Sequence, residues 1–245
     1  LYRDREEGIW IGTYFGGLNY LNKGALSIKN YFPNNRGGSL SGKAVSQFCE
    51  DDLGNLWIAT EDGGLNYFDI KNEKISQPVK TSYHNIHPLM LVDDELWIGT
   101  FSRGLDVYNT RTKKLRNYRN NSDNVNTLDD DCIFSLFKTT SGDIYVGTAN
   151  YGSSAHLVRF NPRTQKWDDI IDAHKITRET GTGLDSQSKF HAKILVDSDG
   201  VIWAATKQGN ENFIDRPEFG ESSTGYPGGH LFSFNPKTNI VIDHG

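Results

Sequence analysis

Two histidines, His87 and His191, stand at matching points of this 245-residue chain. Each opens an apolar run that ends in an acidic turn, and each is aligned with Val45 and Ile133 in two other such runs. An imidazole titrates near neutrality, so two of them at one structural position could bind a metal or serve as acid and base. The plainer reading is that each satisfies local backbone groups. Lys43, Asp131 and Lys189 lie close to the same points and would give the neighbourhood mixed charge. A second set of side chains, Tyr14, Phe15, Arg103, Tyr151, Lys207 and Tyr226, falls in loops that a matching alignment brings to the same end. Aromatic rings stack on the C–H faces of sugars, and a guanidinium can clamp a uronate carboxylate with two parallel hydrogen bonds. Packing of Tyr14 and Phe15 on a neighbouring segment, and a surface ion pair for Arg103, are the structural alternatives.

The elements that must position these residues are set by a repeat. The segments Gly8-Ile9-Trp10-Ile11-Gly12-Thr13, Asn55-Leu56-Trp57-Ile58-Ala59-Thr60, Glu95-Leu96-Trp97-Ile98-Gly99-Thr100, Asp143-Ile144-Tyr145-Val146-Gly147-Thr148 and Val201-Ile202-Trp203-Ala204-Ala205-Thr206 are copies of one another. Their aromatic positions are 47, 40, 48 and 58 residues apart. That is the period of a four-stranded propeller blade, roughly 40–50 residues. Before each copy comes an apolar strand and an acidic turn such as Asp51-Asp52-Leu53-Gly54. After several comes a Gly-rich loop and another strand, as in Gly63-Gly64-Leu65-Asn66-Tyr67-Phe68. Turns of the type Asn161-Pro162-Arg163-Thr164 and Asn235-Pro236-Lys237-Thr238 then lead to a charged outer strand. Gly or Ala after the aromatic pair lets neighbouring sheets approach, and the Trp fills the space between them. No segment has a sustained 3.6-residue period, so little helix is expected.

These features predict an all-β fold: one domain over 1–245, a β-propeller of about five four-stranded blades at roughly 1–40, 41–82, 83–126, 127–185 and 186–245. The five Trp/Tyr positions are expected to be buried at equivalent places. Composition agrees with many short strands and tight turns, with 25 Gly and 12% aromatic residues. The formal charge of −5 argues against wholesale binding of nucleic-acid phosphates. No apolar run is long enough for a membrane helix, so direct membrane insertion is not expected, and no signal peptide opens the chain. Beginning at Leu1, the chain reads as a piece of a longer product or as a processed form. Cys49 and Cys132 read as two thiols rather than a disulfide.

Residues 51–69 closely resemble the two-component regulator propeller repeat, residues 4–22 resemble it nearly as well, and residues 93–109 resemble it with a shortened turn. The fourth copy keeps Gly-Asp-Ile-Tyr-Val-Gly-Thr but has Gly152-Ser153-Ser154-Ala155-His156-Leu157 in place of the Gly-Gly-Leu element. The fifth departs through a long insertion from Lys207 to Gly229 and looks more like blades of sugar-active and lyase-type propellers. The resemblance implies the extracytoplasmic sensor of a hybrid two-component regulator, of the kind common in Bacteroidetes. With it come an oligosaccharide or other small extracellular ligand, a periplasmic or extracellular location, homodimerisation through the parent protein and usually seven blades. The chain is then either a piece of such a ring or a five-bladed one.

Neither a cofactor nor a resident metal is expected, and no kinase signature is present. Asp197-Ser198-Asp199-Gly200 looks like a calcium loop but lacks the further ligands, and is expected to be a plain turn. Asn120-Asn121-Ser122 is a sequon of the sort that arises by chance. Two other functions stay open. A polysaccharide lyase would use Arg103 to neutralise a uronate and His191, His230 or Tyr226 as base. A protein-interaction propeller would need no small ligand. The long insertion reads as a lid over the site or a flap over the last sheet's edge.

Overall fold

A computed structural model describes residues 1–24, 28–34, 37–150, 153–178, 187–208 and 229–245. Their regular structure is almost entirely strand: β1 (Tyr2–Arg3), β2 (Ile9–Thr13), β3 (Gly17–Leu21), β4 (Ile28–Tyr31), β5 (Val45–Glu50), β6 (Leu56–Thr60), β7 (Gly64–Asp69), β8 (Lys74–Ser76), β9 (Ile86–Val92), β10 (Glu95–Thr100), β11 (Leu105–Asn109), β12 (Leu115–Tyr118), β13 (Ile133–Lys138), β14 (Ile144–Thr148), β15 (His156–Asn161), β16 (Lys166–Asp172), β17 (Gln187–Lys189), β18 (Leu195–Val196), β19 (Ile202–Ala205), β20 (Lys207–Gln208), β21 (Leu231–Asn235) and β22 (Ile240–Asp243). One short helix, α1 (Ala173–Thr177), follows β16 and is capped by the Asp172 carboxylate, which accepts the Lys175 N–H. Among the described residues no helix is long and apolar enough to cross a membrane.

The strands form five four-stranded antiparallel meanders: β1 to β4, β5 to β8, β9 to β12, β13 to β16, and β18-β19-β21-β22. The chain divides into two compact units. Leu1–Tyr118 holds the first three sheets, and Arg119–Gly245 holds the last two with a small β17–β20 ribbon.

Within each unit the sheets stack through the residues of the repeat. In the first, Trp10 lies edge-on to Phe68 of the second sheet at 5.6 Å, and Trp57 meets Tyr108 of the third at 6.0 Å. In the second, Tyr145 meets Phe234 of the following sheet at 6.2 Å. A strand-two aromatic therefore packs on a strand-three aromatic of the next sheet. The small residues are there because nothing larger fits. A Cβ on Gly12 would come within 2.7 Å of Val45 Cγ1, and one on Gly147 within 2.2 Å of Ser135 Oγ and 2.8 Å of Phe190 Cβ. The core is accordingly divided among clusters lying between sheets.

Four of the five signature aromatics, Trp10, Trp57, Trp97 and Tyr145, are buried. Trp203 departs from the expectation: it is only half-buried, its indole N–H donating to Asp197 and its ring stacked on His244.

The first strand of the fifth sheet also differs from the sequence alignment. It is broken in two. Gln187–Lys189 pairs with Lys207–Gln208, and Leu195–Val196 pairs with Ile202–Ala205. Between them Phe190 and Ile194 turn into the core, while the Phe190 N–H donates to the Thr148 carbonyl and the Ala155 N–H to the Gln187 carbonyl. These bonds to the fourth sheet pull the chain out of register with β19. His191 therefore lies outside any strand and is exposed, rather than at the start of one. His87 is the second residue of β9.

Candidate functional site

At one end of each sheet the second strand finishes and a loop turns into the third, and the connections into the second and third sheets arrive at that same end. A threonine pins that hairpin in all five sheets. The hydroxyls of Thr13, Thr60, Thr100, Thr148 and Thr206 donate to the carbonyls of Gly17, Gly64, Gly104, His156 and His230 at 2.7 to 3.3 Å. Gly17 and Gly64 have φ of +71° and +85°, a turn that a Cβ would strain, and at Gly17 the added carbon would sit 2.6 Å from the Tyr31 carbonyl.

Polar loop residues then tie down the arriving connections. Asp62 accepts the N–H groups of Lys43 and Ala44 at 2.9 to 3.0 Å. Asn66, fully buried in the second sheet, accepts Ser41 N–H. Its counterpart Asp106 is a fully buried carboxylate that accepts the Ser82 N–H and hydroxyl and an Asn117 amide. A buried charge persists only with such a complete set of donors. In the second unit Asp130 accepts the Cys132 N–H and an Asn150 amide, each at 2.8 Å. Burial pushes its pKa up to about 6, opposed by the Cys132 N–H and helped by Asp131 and Asp129.

The residues singled out in the sequence fall in both units. In the first unit, His87 has its Nδ1 3.8 Å from Glu61 Oε1 and its ring 5.7 Å from that of Phe101. Tyr14 and Phe15 are 71% and 57% exposed and lie edge to face at 4.4 Å, with Phe15 held at a φ of +63°. Arg103 is anchored by its backbone to Thr100 and Asn117; its side chain is exposed and makes no ion pair among the described residues. In the second unit, Lys189 is 2% exposed with its ammonium 4.9 Å from the Phe134 ring, and the His191 ring approaches that same ring at 5.5 Å. The Lys207 carbonyl accepts the Ser188 hydroxyl. His230 Nδ1 lies 2.8 Å from Asp243. Tyr151, Tyr226 and most of the long insertion lie outside the described residues. The Asp197 carboxylate serves its own turn, accepting the N–H groups of Asp199 and Val201 and the Trp203 indole. Asn120 uses its amide inside its loop, donating to the Leu128 carbonyl. Cys49 and Cys132 are both thiols, and burial raises that of Cys49 to about 11.

Sequence reasoning missed one cluster. His156, the first residue of β15, has Nε2 3.0 Å from an Asp129 oxygen and Nδ1 3.1 Å from an Asp169 oxygen. Burial lowers the pKa of this ring, but hydrogen bonds to the two carboxylates outweigh it and raise the value to about 10. The available signal was the fourth copy's departure from Gly-Gly-Leu, which is where His156 stands.

Antiparallel four-stranded meanders stacked through small residues and a strand-two aromatic define the blades of a β-propeller. Residues 39–62 match the family model described as two component regulator propeller, so the resemblance read from the repeats stands on an independent match. A curated relative, histidine kinase P4 of Formosa agariphila, is 26% identical over 202 residues, covering 79% of this chain and 14% of the relative. The extracellular domain of BT4673 from B. thetaiotaomicron superposes with a TM-score of 0.71 at 21% identity, covering 99% of this chain and 27% of that one. The extracellular domain of BT3049, described as a hybrid two component system of the same organism, gives 0.66 at 20%, covering 99% and 28%. The chain thus spans about a seventh of the curated relative and about a quarter of the solved domains.

Proposed function

We propose that this chain is part of the extracytoplasmic sensor of a two-component regulator and binds a ligand without transforming it. The two-component regulator propeller match at 39–62, and relatives that are a histidine kinase and extracellular domains of regulatory systems, support that reading. Phosphotransfer would belong to other parts of such a protein. The proposed location is periplasmic or extracellular, with dimerisation through the parent protein.

The proposed ligand is an oligosaccharide bound at the loop end of the sheets. One contrast carries this reading. At the same repeat position, Asp62 is spent on holding its neighbouring connection, whereas Phe15 makes no such bond and is exposed beside Tyr14. An exposed aromatic pair on a strained backbone suits a stacking platform more than a structural role. Arg103, with an exposed guanidinium, would add recognition of a carboxylate. Calorimetry against neutral and uronate-containing oligosaccharides tests the proposal. Saturable heat with the sugar recovered intact by chromatography is expected. Ultraviolet absorbance from an unsaturated uronate would replace the sensor reading with the lyase. No binding across the panel would favour a protein-interaction propeller.

A further inference from the structure

We propose that His156, Asp129 and Asp169 form a binding site for a divalent metal ion of the zinc type, separate from the loop residues assigned to ligand sensing. The three residues come from distant parts of the second unit: Asp129 from the segment before β13, His156 from the start of β15, Asp169 from β16. Their ligand atoms lie within 4.8 Å of one another. Zinc bonds to imidazole nitrogen and carboxylate oxygen are roughly 2.0–2.2 Å, so adjacent ligands of a tetrahedral ion stand about 3.3 Å apart. His156 Nε2 and Asp129 Oδ2 are 3.0 Å apart, which a few tenths of an ångström of outward movement converts to that spacing. On the opposite edge of the ring the Asp169 carboxylate, 3.1 Å from Nδ1, is placed to hold the remaining N–H. That is the arrangement by which a carboxylate orients a metal-bound histidine and strengthens it as a ligand.

Charge points the same way. Two carboxylates facing one neutral imidazole carry a charge of about −2; one proton on the ring offsets half of that, and a dication on Nε2 offsets all of it. The His156 side chain is 11% exposed and those of Asp129 and Asp169 are 39% and 45%. The ring is thus sheltered, while water can reach the ion from the Asp129 side to fill its other positions. The scaffold does not depend on an ion: the His156 N–H donates to Thr148 Oγ1, and the Asp129 segment is held by Asn120, whose N–H bonds Asp131 and whose amide bonds the Leu128 carbonyl. Imidazole with carboxylate favours zinc, nickel or copper over calcium or magnesium. The ion would tie the segment before β13 to the third and outer strands of the fourth sheet.

The test is a calorimetric titration of chelator-treated protein with zinc chloride, paired with Co2+ absorption as a direct reading of the ligand set. One equivalent of zinc and a rise in Tm are expected. Asp129→Asn, at a partly exposed carboxylate, should keep the fold by circular dichroism and lose the equivalent. His156→Gln should lose it too, and Asp169→Asn should keep the stoichiometry with affinity reduced 10- to 100-fold. His230→Gln, which removes another His–Asp pair of this unit, should change nothing. Absence of zinc binding would overturn the proposal, as would a zinc equivalent and cobalt spectrum that persist in folded Asp129→Asn.

Discussion

The Asp197 carboxylate accepts the indole N–H of Trp203, six residues on, at 2.8 Å, and Asp4 does the same for Trp10 at 2.7 Å. In the second sheet the corresponding Asp51 gives that oxygen to the Tyr67 hydroxyl instead, and the Trp57 N–H is buried without an acceptor among the described residues. The acidic turn is thus a clasp. One oxygen holds the turn's own N–H groups and the other holds an aromatic side chain of the same blade.

The clasp predicts an acid-sensitive contribution to stability. The Trp203 indole, followed by the N–H of Val201, holds the Asp197 pKa below the ordinary carboxylate value. A carboxylate with a depressed folded pKa stabilises above its unfolded pKa, and the stability is lost as pH falls through the folded one. Asp197→Asn should therefore lower Tm at pH 7, and the gap from the parent should close as pH falls below about 4, the ordinary carboxylate value. Melts followed by circular dichroism across that range check it. A gap that is constant with pH would show that the ionised carboxylate is not the source.

Core packing predicts unequal costs for equivalent tryptophans. Trp57 is buried between sheets and meets Tyr108, whereas Trp203 is half-buried. Trp57→Ala should cost about 3–5 kcal/mol, as truncation of large buried aromatics does. Trp203→Ala should cost less than half of that. Urea unfolding of the two variants provides the comparison, and equal losses would contradict the difference in packing.

Close approach predicts that the glycine after the aromatic pair is indispensable in the fourth blade. Ala59 occupies the position in the second blade without difficulty, fully buried. In the fourth, a Cβ on Gly147 would collide with Ser135 Oγ and Phe190 Cβ. Gly147→Ala should destabilise by about 1–3 kcal/mol, the usual cost of overpacking. Gly147→Ala combined with Ser135→Ala should recover part of the loss, since the hydroxyl is the nearest obstacle.

Much of this architecture is legible in the sequence because the repeat marks it five times. The aromatic, the small residue and the threonine each have one physical duty, and each duty recurs. The break in the first strand of the fifth sheet was not legible. Phe190 and Ile194 look like ordinary strand residues, and what displaces them is a bond from Phe190 to Thr148, 42 positions earlier. The His156 cluster was hidden for a similar reason: a loop, a strand start and an outer strand supply its members, at spacings that match no local motif. His87 and His191 were paired by alignment. The structure gives them different companions, Glu61 and Phe101 for one and Phe134 for the other.

The loop aromatics predict a trade between stability and binding. Phe15 is 57% exposed, so its side chain contributes little burial, and its φ of +63° is a conformation that an L-residue adopts at a cost. Glycine adopts it freely. Phe15→Gly should therefore leave stability unchanged or raise it by up to about 1 kcal/mol, since relief of strain opposes the entropy that glycine adds to the unfolded chain. The same change removes a ring from the pair with Tyr14 and should weaken oligosaccharide binding at least tenfold. Tyr14→Ala should weaken it comparably without affecting Tm. Thermal melts and calorimetry on the two variants read both quantities. If both lose stability and retain affinity, the aromatic pair is part of the packing and the ligand binds elsewhere. If both keep stability and lose affinity, the strained backbone at Phe15 is maintained for the ligand.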